Sequence, residues 1–148
     1  MAGVAVRETV TLAGRAERAR AARAFVSEVL GSGHPCRDAA ILLVSEIFSN
    51  SIRHSRSGDP GETVTVAVIT GDGTVRVEVT DRAGPGTPEL RPADRDAEGG
   101  RGLQLVAGLA ARWGWRRRGG QLVTWFELQA LLRQMQHSAV SGKGLDFA

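Results

Sequence analysis

Two valine runs, Val64-Val66-Val68 and Val75-Val77-Val79, flank Gly71-Asp72-Gly73. Branching at Cβ restricts these side chains in a helix but suits a pleated strand. Alternation at every second residue puts the valines of each run on one face. Gly-Asp-Gly between two such runs predicts a tight reversal. The segment is therefore expected to be a β-hairpin with one apolar face, and such a face must be covered by another layer.

The cover is expected upstream. From Arg15 to Leu30 the chain is rich in Ala and Arg, without Gly or Pro, and favours helix. Phe25, Val26, Val29 and Leu30 mark its buried end, and Gly31-Ser32-Gly33-His34-Pro35 stops it. A second helix is expected from about Cys36 to His54, with Ile41, Val44, Ile47 and Phe48 as its apolar stripe. Val4 to Leu12 alternates and reads as an edge strand.

Downstream, Asp81 to Gly100 has no periodicity and is rich in Gly, Pro, Asp and Arg. A structureless stretch of that length inside a domain is usually functional, and it reads as a lid. A helix over 102–111 follows, then strands over 112–118 and 121–129 around Gly119-Gly120. The expected fold class is α+β: a two-layer sandwich with a mixed, mostly antiparallel sheet and helices on one face. One domain spans 1–130, and residues 131–148 read as a frayed C-terminal tail. No strand passes directly into a G-x-G-x-x-G turn, which excludes the dinucleotide-binding reading.

Composition narrows the function classes. The chain has 148 residues, 42% of them hydrophobic, enough for one core. The net charge is +3, yet Lys143 is the only lysine among 19 basic residues, and the acidic residues are interspersed. Charge of this kind sets non-specific affinity rather than function, so direct nucleic-acid binding is not expected. Cys36 is the only cysteine, which leaves no intrachain disulfide and no cysteine cluster for zinc. No apolar run approaches the roughly 20 residues that span a bilayer. Met1 to Arg7 lacks a basic region followed by an apolar stretch. A cytoplasmic protein without membrane contact is the expectation.

Three segments carry candidate chemistry. Glu46, Asn50 and His54 are four residues apart and stack along one helix face. The Asn50 amide oxygen is a hard neutral ligand suited to Mg²⁺, and Glu46 one turn away could accept a proton from a hydroxyl or water. An ordinary solvated helix face has the same spacing. Asp81 ends a strand that enters Ala83-Gly84-Pro85-Gly86, where it could accept a hydrogen bond from an adenine amino group or simply cap a turn. Gly99-Gly100-Arg101-Gly102-Leu103 precedes a helix start, where exposed N–H groups and the helix dipole favour phosphate. A plain connecting loop is the other reading.

Together these segments resemble the N box and the two glycine boxes of the Bergerat-fold ATPases. A close likeness is to their small single-domain branch, the bacterial anti-sigma factor serine kinases and related regulators. The resemblance runs from about Val4 to Gln129 and includes the Trp113-Gly114 strand after the last helix. It implies ATP and Mg²⁺ as cofactors, with Asn50 as the metal ligand, Glu46 as the catalytic base and Asp81 as the adenine-binding acid. Gly84 and Gly86 would line the pocket, and Arg101, Gly102 and Leu103 would serve its phosphate end. It further implies a homodimer that sequesters a sigma factor and phosphorylates an anti-anti-sigma protein. A regulator gated by ATP but transferring no phosphate is the alternative.

The sequence departs from the family pattern twice. Ala83 fills the first glycine position, so Gly84 and Gly86 fall one residue late, and Gln104 stands where many members have glycine. Outside the boxes, Arg15, Arg18, Arg20 and Arg23 read as a solvated face or a partner surface. Trp113, Trp115 and Trp125 read as sheet packing or interface anchors. Thr124 is a further candidate for the adenine pocket.

Overall fold

The structure is a computed structural model and describes residues 5–54, 59–82, 106 and 108–130. Strand β1 (Val6–Ala13) leads through a 3-10 turn (Ala16–Arg18) into helix α1 (Ala19–Leu30) and helix α2 (Arg37–His54). Strands β2 (Thr63–Gly71) and β3 (Thr74–Arg82) follow, and β4 (Arg112–Arg118) and β5 (Gln121–Gln129) complete a five-stranded sheet. Its order is β1-β2-β3-β5-β4, and each of the four pairings is antiparallel. The α+β architecture expected from the sequence is the one observed, with no parallel pair among the described strands.

The valine hairpin forms as its residues require. Asp72 and Gly73 form the two-residue turn with φ of 51° and 75°, the left-handed pair that matches the twist of the flanking strands. Alternation then sends Val64, Val66, Val68, Val75, Val77 and Val79 into the core, all essentially inaccessible. Strand β5 contributes Phe126 and Leu128 to the same side, opposite Val77 and Val75. Helix α1 covers this face with Ala22 and Val26, and α2 with Ala40, Leu43, Val44, Ile47 and Phe48. The small alanines let the helices approach closely, and Leu43, Ile47 and Phe48 fill the space between layers.

Val106, Gly108 and Leu109 have helical backbone, and the Ala110 N–H donates to the Val106 carbonyl at 2.8 Å. They belong to the helix expected over 102–111, of which 102–105 and 107 lie outside the described residues. Val106 is buried in the core. No helix among the described residues is long and apolar enough to cross a membrane.

The other sheet face is polar and ordered by arginine. Glu78 lies in its middle, and three guanidinium groups converge on it: Arg76 at 2.9 Å, Arg7 at 3.2 Å and Arg116 at 3.8 Å. Burial alone would raise the Glu78 pKa, but hydrogen bonds and charge from Arg76 and Arg7 outweigh it and hold it below the ordinary value. Arg76 also pairs with Glu127 at 2.8 Å and stacks over Trp125, 4.0 Å from the ring centroid. Trp125 faces Gly114 across the hairpin, where a Cβ would stand 3.0 Å from the indole.

Candidate functional site

Asn50 and Ser51 sit late in α2, Asp81 near the end of β3, and a hydrogen bond joins the two elements. The Ser51 hydroxyl donates to Asp81 Oδ2. β3 brings Asp81 to the helix side because residues 75, 77, 79 and 81 share one face. Three of the four are valines that must be buried, so the fourth is carried inward with them. Asp81 is only 2% exposed. This desolvation pushes the Asp81 pKa up to about 6 despite the opposing effect of the Ser51 hydrogen bond.

The remaining oxygen of that carboxyl, Oδ1, is buried and has no hydrogen-bond partner among the described residues. Asn50 Oδ1 is in the same condition, on a residue 8% exposed. Buried acceptors are normally satisfied, so two orphans on adjoining elements are an unusual concentration. Their chemistry differs usefully. A neutral amide oxygen suits a hard cation, and a carboxylate oxygen suits an N–H donor. Among the described residues no cluster of three or more His, Cys, Asp or Glu groups could hold a metal. Magnesium bound at Asn50 would draw most of its other ligands from water and phosphate oxygens, as this ion commonly does. The donor set fits a magnesium nucleotide.

Glu46 lies one turn before Asn50 and is half-buried, with no side-chain hydrogen bond inside the described structure. Its neighbour Ser45 accepts a hydrogen bond from Arg23 Nη1 at 2.9 Å, which ties α1 to α2 beside the carboxylate. Arg23 is thus a half-buried tether, while Arg15, Arg18 and Arg20 are exposed. Thr124 is buried on β5 opposite Val79, on the same sheet face as Asp81. Gly84, Gly86, Arg101, Gly102 and Leu103, with Ala83, Gln104 and the His54 side chain, lie outside the described residues. The three tryptophans divide. Trp113 packs on the core, Trp125 lies on the opposite face, and Trp115 is 37% exposed on the core side.

The sequence reading missed Ser51 and Ser45. A serine in a helix carries no local signal, since its partner is chosen by the tertiary packing of a distant element.

Residues 12–128 match the histidine kinase-like ATPase domain family. The chain belongs to that family. No curated protein matches the sequence. In fold, the chain is similar to the RsbU and RsbW domains of Rv1364c from Mycobacterium tuberculosis, with a TM-score of 0.63 and 22% identity. That match covers 84% of this chain and 32% of the other. It is also similar to the histidine kinase domain of the Erythrobacter litoralis EL346 blue-light activated kinase, with a TM-score of 0.54 and 22% identity. There it covers 81% of this chain and 63% of the other. The chain thus spans about a third of the first structure and less than two thirds of the second.

Proposed function

We propose that this histidine kinase-like ATPase domain binds Mg·ATP between α2 and β3 and transfers the terminal phosphoryl group to a serine or threonine hydroxyl of a partner protein. The observation that carries the reading is the pair of buried, unpartnered acceptors, Asn50 Oδ1 and Asp81 Oδ1. In this reading Asp81 Oδ1 accepts the adenine amino proton, and Asn50 Oδ1 offers one hard oxygen to the metal. Glu46 takes the proton of the incoming hydroxyl. Bound Mg·ATP would supply the phosphoryl group and neutralise its charge during transfer. Gly84 and Gly86 would line the base pocket, and Arg101, Gly102 and Leu103 the phosphate end.

The likeness in fold to a chain that carries RsbU and RsbW domains supports placing the protein in a partner-switching regulatory system. The partners would be a sigma factor that it sequesters and an anti-anti-sigma protein that it phosphorylates, with the kinase acting as a homodimer in the cytoplasm. The displaced first glycine box, with Ala83 in a glycine position, favours one second reading: a nucleotide-gated binding protein without phosphotransfer.

Calorimetric titration of Mg·ATP into the wild type and Asn50→Ala, with phosphotransfer assayed in Glu46→Gln, separates the readings. A kinase shows ATP binding of micromolar order, about −8 kcal/mol, weakened in Asn50→Ala and by EDTA. Its Glu46→Gln variant keeps ATP and loses transfer to a seryl partner. Binding without transfer in the wild type selects the gated regulator. Absence of binding at millimolar ATP rejects both.

A further inference from the structure

The two oxygens of the Asp81 carboxyl are in unlike situations. Oδ2 is engaged by the Ser51 hydroxyl, whereas Oδ1 is buried with no partner among the described residues. Ser51 is itself buried and rides on α2, a helix anchored in the core through Ile47 and Phe48. A carboxylate attached by a single rotatable bond does not by itself choose which oxygen it presents. A donor fixed on a neighbouring rigid element makes that choice.

We propose that Ser51 is a positioning residue: by holding Oδ2 it turns Oδ1 toward the nucleotide base and so sets selection for a purine carrying a 6-amino group. The inference rests on the ATP reading above and assigns the control of base choice to a residue that does not touch the base. An amino group at C6 donates to a fixed carboxylate oxygen, while a carbonyl at C6 meets it lone pair to lone pair. Removing the hydroxyl frees the carboxylate to rotate, so that no one oxygen opposes the carbonyl. Loss of the anchor should therefore erode discrimination between the two kinds of purine, beyond any general weakening of binding.

The experiment titrates Mg·ATP and Mg·ITP by calorimetry into the wild type, Ser51→Ala, Ser51→Thr and Ser49→Ala. Ser49 lies two residues away on α2 and makes no hydrogen bond to Asp81 among the described residues, so Ser49→Ala controls for a serine-to-alanine change in the same helix. Thermal melts without nucleotide confirm that each variant is folded. In Ser51→Ala the ATP-over-ITP preference should contract by about tenfold, the size of one charge-assisted hydrogen bond. Ser51→Thr should recover the preference by restoring the hydroxyl, and Ser49→Ala should match the wild type. Equal weakening of both nucleotides in folded Ser51→Ala, or an unchanged ratio, overturns the assignment and leaves Ser51 with a packing role. A wild type that binds neither nucleotide rejects the ATP site itself, a separate outcome that takes this assignment with it.

Discussion

Asp81→Asn should make the ligand-free protein more stable while removing its affinity for ATP, and the gain should depend on pH. The Asp81 pKa rises from the ordinary 3.8 to about 6 on folding, so the folded state holds the proton more tightly than the unfolded chain. Ionisation therefore costs stability as pH climbs between those values, and the whole cost is present above about 6. At about 1.4 kcal/mol per tenfold change, with some solvent screening, that cost is about 2–3 kcal/mol. Asparagine keeps an oxygen for Ser51 and carries no charge. Its stability relative to the wild type should improve by about 1.5–2 kcal/mol between roughly pH 4.5 and pH 8. Urea unfolding of both proteins at the two pH values measures this difference, and any constant offset from the new amide cancels in the comparison. In melting temperature, 2 kcal/mol amounts to about 4–8 °C for a chain of this size. A stability difference that does not change with pH would refute the reasoning, because the buried charge would then carry no cost.

Two further outcomes concern the polar sheet face. Glu78→Gln should destabilise the protein by about 1–2 kcal/mol at neutral pH, since Arg7, Arg76 and Arg116 would converge on an uncharged group. The Glu78 pKa is lowered on folding, so the loss should fade as pH falls through that folded value, and a loss equal at all pH would contradict the ion-pair account. Gly114→Ala should cost about 1–3 kcal/mol, because its Cβ would stand 3.0 Å from the Trp125 ring and displace it from Arg76. A melting temperature within a degree or so of wild type, with unchanged tryptophan fluorescence, would show that the ring yields freely.

The parts of the molecule legible in its sequence are those governed by local rules. Valine alternation and the Asp72-Gly73 turn specify the central hairpin without help from distant residues. The 3.6-residue period places Glu46 above Asn50 on α2. The strand period places Asp81 on the apolar side of β3, although its depth of burial depends on the helices packed above it. What escaped was tertiary. The Ser51–Asp81 and Arg23–Ser45 hydrogen bonds span 30 and 22 residues, and no periodicity encodes a partner that far away. The alternation that buries the β3 valines puts Glu78 on the opposite sheet face. Glu78 is buried because Arg7, from β1, and Arg116, from β4, reach over the sheet to meet it.

The arginine run at 116–118 takes no part in the candidate site, but its place in the sheet gives it a consequence. Among the described strands β4 is an outer one, paired with β5 alone. Arg112, Arg116, Arg117 and Arg118 all lie on it and are all exposed. An approaching strand that tried to extend the sheet in register from a second molecule's β4 would bring these guanidinium groups against their own copies. Among the described residues, repulsion between these charges thus opposes extension of the sheet on that side. Resistance to self-assembly should accordingly weaken as added salt shortens the reach of those charges.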